Sequence, residues 1–88
     1  MNEIQNTTTS SNDEVFDGRE IPCRVKHGLI LQRCAQLATG TSFILVNDHD
    51  PVPLRYQIQA EHPEQFEWSY VERGPEVFRV RIKRIAAA

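Results

Sequence analysis

The residues best suited to chemistry stand in one short run, Asn47-Asp48-His49-Asp50, followed by Pro51 and Pro53. An imidazole between two carboxylates can carry protons, orient a bound group or ligate a metal. His27, earlier in the chain, can supply a second ring nitrogen. His27, Asp48 and His49 together make a candidate set for iron or another transition metal, because imidazole and carboxylate donors suit such ions. The plainer account is structural. Asp50 is a good N-cap for a following helix, with Pro51 at the first helical position, and Asp48 can close a turn through its own backbone.

Cys23 and Cys34 differ in setting. Cys23 precedes Arg24, Lys26 and His27 near the start of a helical pattern, which suits a nucleophile for sulfur or redox chemistry; an incidental loop cysteine is the plainer reading. Cys34 lies on the apolar stripe of that helix and belongs to the core. Two cysteines do not make a disulfide framework, and a reducing cytoplasm suits them. No glycine-rich phosphate loop, CxxC pair or nucleophile elbow accompanies these residues.

The elements that must position these groups follow from periodicity. Val15 to Arg19 reads as a weak first strand. From Arg24 to Leu37, Leu31, Cys34, Ala35 and Ala38 recur at helical spacing, broadened by Ile30 and Leu37, and Gly40 is a natural stop. Ser42 to Val46 is apolar on both faces, as a buried central strand should be. Leu54, Ile58 and Glu61, with Tyr56 and Ala60, suit a second helix ended by Pro63. Phe66, Trp68 and Tyr70 alternate with Glu67 and Ser69; after a turn at Gly74-Pro75, Phe78, Val80 and Ile82 alternate with Arg79, Arg81 and Lys83. The expected fold is α/β, a two-layer α+β sandwich of order βαβαββ, with a four-stranded mixed sheet and two helices on one face.

The chain of 88 residues has room for one domain. Residues 1–13 are rich in Thr, Ser, Asn and Asp and are expected to be a disordered tail, with the domain over residues 14–85 and the closing alanines frayed. A formal net charge of −2 argues against a general affinity for nucleic acid or acidic membranes. The longest apolar run, Phe43 to Val46, is far too short to span a bilayer, and no secretory signal is visible. The aromatic alternation of Phe66, Trp68 and Tyr70 reads as core and not as a base-stacking platform. Arg79, Arg81, Lys83 and Arg84 read as a solvated strip partly neutralised by Glu67, Glu72 and Glu76.

In this fold the carboxyl ends of the first two strands share an edge with the N-termini of both helices, where open α/β folds bind ligands. Two polar clusters converge there, Asn47 to Asp50 from the second strand and Arg19, Glu20, Cys23, Arg24 and His27 from the first.

The stretches DGREIPC and LATGTSFILVNDHDPVPLRYQIQAEHPEQFEWSYVERGPEVFRVRI resemble a family of short bacterial proteins of unknown function related to the TusA/SirA sulfur-carrier superfamily. The resemblance covers residues 15–84, and Asp48-His49-Asp50-Pro51 through Pro53-Leu54 is its most specific part. It implies the same TusA-like sandwich, with a role carried by His27, Asp48, His49, Asp50, Arg55 and Tyr56. It also implies a partner of the hemerythrin-like or redox type, and a link to iron, haem or nitrogen-oxide metabolism. In the sulfur carriers a persulfide-bearing cysteine is followed by proline; here Cys23 holds that position, but Arg24 follows it and Pro22 precedes it.

The expected function is that of a cytoplasmic accessory or binding domain, not a self-sufficient enzyme. Its polar edge would hold a metal, a small anion or a partner's cofactor. A Cys23 persulfide carrier and a protein-interaction module using the Arg79/Arg81/Lys83 face are the alternatives.

Overall fold

The computed structural model describes residues 14–86, and the tail expected over 1–13 and the last two alanines lie outside them. Four strands and two helices follow in the order βαβαββ: β1 (Glu14–Asp17), α1 (Cys23–Gln36), β2 (Ser42–Asn47), α2 (Val52–Glu61), β3 (Phe66–Arg73) and β4 (Phe78–Arg84). The sheet order is β1-β2-β4-β3. β1 lies parallel to β2, as a strand–helix–strand crossover requires, and β4 pairs antiparallel with both β2 and β3.

Register puts Phe16, Leu45, Val80 and Tyr70 in one row, with Phe43, Ile82 and Trp68 in the next. Together these rows form the sheet face that Ile30 and Cys34 of α1 and Leu54 and Ile58 of α2 cover. Phe66, Trp68 and Tyr70 pack against this core, so the aromatic alternation is structural. β2 is buried along almost its whole length, from Phe43 to Asn47. On the opposite face, Arg79 is the cross-strand neighbour of Val46 and bonds Glu72 at 2.9 Å.

Both helices differ in detail from their expected outlines. α1 starts one residue early, at Cys23, and ends at Gln36. Its buried line is Lys26, Ile30 and Cys34, with Ala35 and Ala38 exposed. The stripe is therefore rotated: spacing of four extends the line of Cys34 and Ile30 back to a lysine stem, and Ala38 falls beyond the helix end. Gly40 serves the next turn, with φ +90° and its N–H donating to the Arg84 carbonyl at 2.7 Å. In α2, Leu54 and Ile58 are buried while Tyr56 and Ala60 face out. Ala86 is not frayed: it is half-buried and its N–H reaches the Gln65 carbonyl at 3.4 Å.

Candidate functional site

A narrow cavity of about 40 Å³ opens between the N-terminal turns of α1 and α2 and the end of β2. Its polar wall comes from Cys23, Lys26 and His27 on α1 and from Asn47 and His49 at and after the end of β2. Its apolar wall comes from Ile30, Leu45, Pro51, Pro53 and Leu54. The two histidines thus meet at one recess, which sequence alone did not decide because it depends on the rotation of α1.

Lys26 is the least ordinary group in this wall. It is 4% exposed, and its Nζ donates to Asn47 Oδ1 at 2.8 Å. Asn47 is itself buried, and its Nδ2 donates to the His49 carbonyl at 3.1 Å. Lys26 therefore ties α1 to β2 and to the loop beyond. Its stem lies against Gly18, where a Cβ would stand 3.0 Å from Lys26 Cδ, so only glycine leaves room for the stem unshifted. An ammonium has three N–H donors, and a cation removed from water needs a counter-charge or full hydrogen bonding. Among the described residues the Lys26 ammonium forms no ion pair and no second hydrogen bond.

The neighbouring carboxylates are engaged elsewhere. Asp48 Oδ1 lies 2.7 Å from His49 Nδ1, and that hydrogen bond, more than the smaller charge effects of His49 and Lys26, holds the Asp48 carboxyl below its usual range. Asp50 does not cap α2. Its Oδ1 accepts a 2.5 Å hydrogen bond from the Tyr70 hydroxyl on β3, and α2 begins one residue later, with Pro51 as its N-cap. Pro51 is the N-cap residue, Pro53 stands in the first turn, and neither helix has a side-chain cap or an acidic residue in its first turn.

The prolines now have a physical role. The Val52 N–H donates to the Asp50 carbonyl at 2.8 Å and Pro53 has no N–H, so α2 offers few free donors. α1 differs: Val25 and Lys26 N–H groups bond the Pro22 carbonyl, while Cys23 and Arg24 have no intrahelical acceptor. Positive potential in the recess comes from Lys26 and the start of α1.

The other expected residues divide. Cys23 is exposed at the first position of α1, on the lip of the recess. Cys34 is buried in the core, where burial pushes its thiol up to about 11. Arg55 and Tyr56 do not line the recess, and Tyr56 is 65% exposed on the outer side of α2. The proposed metal set fails on geometry: among the described residues no three His, Cys, Asp or Glu side chains come together as a group able to hold a metal ion. Asp48 and His49 face each other on an exposed loop instead of converging with His27 on one point.

Lys26 and Tyr70 were the residues that sequence reasoning passed over. Lys26 had a signal, since it precedes Ile30 and Cys34 at intervals of four on the apolar stripe. Tyr70 had none, because its partner Asp50 is twenty residues away.

This fold and site occur in a chain whose residues 15–84 match the model of a family described as an uncharacterized conserved protein, DUF2249, and the chain belongs to that family. Neither the comparison with curated proteins nor that with solved structures gives a match. No helix among the described residues is long and apolar enough to cross a membrane.

Proposed function

We propose that the chain is a small binding domain that takes an anionic group into the recess, with Lys26 as its anchor. The observation that carries this reading is a lysine buried to 4% exposure with one neutral hydrogen-bond partner, Asn47, among the described residues. Burial of an ammonium costs several kcal/mol unless a counter-ion offsets it, and an incoming anion supplies that counter-ion. The start of α1 adds the same sign of potential, and no acidic residue of its first turn opposes it. His27 and His49 add ring nitrogens at the wall. Val25, Val52 and Tyr56 expose apolar surface on the same two helices, which supports a protein partner that delivers or receives the ligand. Two unpaired thiols fit a reducing cytoplasm.

Amide NMR spectra recorded during titration with chloride, formate and phosphate test the reading. Saturable shifts confined to residues 23–27 and 47–51 with at least one of these anions, lost in Lys26→Met, are expected. A flat response, or one that persists in the variant, would remove the proposal.

The second reading is a sulfur carrier. Cys23 favours it, as an exposed thiol on the first turn of a helix and on the lip of the same recess. It requires rapid modification of Cys23 by iodoacetamide at neutral pH, with Cys34 protected until the chain unfolds. Slow labelling of Cys23 would end this reading.

A further inference from the structure

The same recess limits the class of anion it can take, and the limit rests on the anion-binding reading. The geometry points to a small monovalent anion of the carboxylate type, and away from phosphate, sulfate or nucleotides.

Three observations lead there. The first is size: the cavity is narrow, at about 40 Å³, which favours a small ion over a bulky one. The second is charge. Lys26 is the one buried cation in this wall among the described residues, and it offsets one negative charge. A second would find no other buried cation in a wall that is half apolar, from Ile30, Leu45, Pro51, Pro53 and Leu54, and the cost of desolvating an ion rises steeply with its charge. The third is geometry of supply. A phosphate cradle at a helix N-terminus needs several converging backbone N–H groups, and here Pro53 and the Val52-to-Asp50 bond remove two of those of α2.

Lys26 still has donors to give, and its ammonium is held in place by Asn47. A planar anion with two oxygens would accept from Lys26 through one and face His27 or the start of α1 with the other. Asp48, close enough to feel the Lys26 charge, is engaged with His49, and its field adds a further penalty against a dianion.

Thermal unfolding of the full chain in formate, acetate, sulfate and phosphate, at constant ionic strength, tests the class. Each salt is compared between wild type and Lys26→Met, so that general salt effects cancel; Lys26→Gln replaces the methionine variant if that does not fold. Formate and acetate should raise the wild-type Tm by roughly 6–10 °C at ten times their Kd and leave the variant unmoved. Sulfate and phosphate should do neither, and should not displace formate from the wild type in an amide NMR competition. Sulfate or phosphate binding as well as formate, and competing with it, would overturn the class while leaving an anion site in place. If no anion distinguishes wild type from variant, the anion-binding reading fails and this inference fails with it.

Discussion

Two cations are buried near opposite ends of α1, and their surroundings differ in sign. Arg84, 8% exposed, lies at the C-terminal end, where its Nη2 makes a long 3.5 Å contact to the Cys34 carbonyl and its guanidinium stands 4.9 Å over the Phe66 ring. Helix carbonyls and an aromatic face both favour positive charge, so the field around Arg84 suits a cation, although its buried Nε has no hydrogen-bond partner among the described residues. Lys26, 4% exposed, lies in the first turn, where the helix field opposes it and one neutral amide supports it. The same helix thus sets one buried cation in a favourable field and the other in an opposing one, and the proposed anchor role of Lys26 rests on that contrast. The difference teaches that burial of a charge is not the signal of a site; burial without local compensation is.

The sharpest way to break this comparison is to remove each charge in turn. Arg84→Ala should lower stability by about 2–3 kcal/mol, through the lost stem packing and cation–π contact. Lys26→Met, which keeps a stem of similar length, should raise it by about 1 kcal/mol in the absence of added anions. Denaturant midpoints measured at unchanged slope decide the matter. If Lys26→Met proves as damaging as Arg84→Ala, Lys26 is structural and the contrast disappears.

A smaller effect sharpens the picture of how the recess is held. Tyr70→Phe removes the donor to Asp50 while keeping the ring that packs on the core. A loss of about 1–2 kcal/mol is expected for this charge-assisted bond. Because Asp50 begins the turn that sets Pro51 and His49 in the recess wall, the amide signals of residues 47–51 should broaden or shift in this variant. A silent change would show that the prolines alone fix the loop.

The smallest expected effect lies outside the recess, at Asp17. Arg19 donates to its carboxylate at 2.9 and 2.6 Å through the side chain and at 3.1 Å through the backbone. These bonds hold the Asp17 carboxyl down, from 3.8 to about 2. A depressed folded value means that the contribution is fully present above about pH 4 and is lost as pH falls through about 2. The group is exposed, so the slope is shallow. Comparison of acid unfolding in wild type and Asp17→Asn should show a slight difference above pH 4 that vanishes towards pH 2; an unchanged difference across that range would count against the assignment.

Much of the fold was legible in the sequence because each element has its own period. Phe66 to Tyr70 and Phe78 to Ile82 alternate cleanly, Phe43 to Val46 is apolar on both faces, and turn residues separate them. The meeting of both helix starts with the end of β2 followed from topology. Less local features were not legible. Asp50 and Pro51 matched the pattern of a cap and a first helical residue, yet Tyr70 claims the Asp50 carboxylate and Pro51 becomes the N-cap.

The sequence by itself determined the element order, the parallel crossover and the placing of Cys34 in the core, because these depend on neighbours within a few residues and on the handedness of the chain. Only the tertiary structure decided the rotation of α1, which brings His27 beside His49 and turns Lys26 inward to Asn47. It also set the Tyr70–Asp50 bond and turned Asp48 onto His49, with no three-ligand metal group formed among the described residues. A difference of tens of degrees in helix rotation leaves hydrophobic periodicity almost unchanged, yet it decides which polar side chain is buried, and that choice is settled by packing against the sheet.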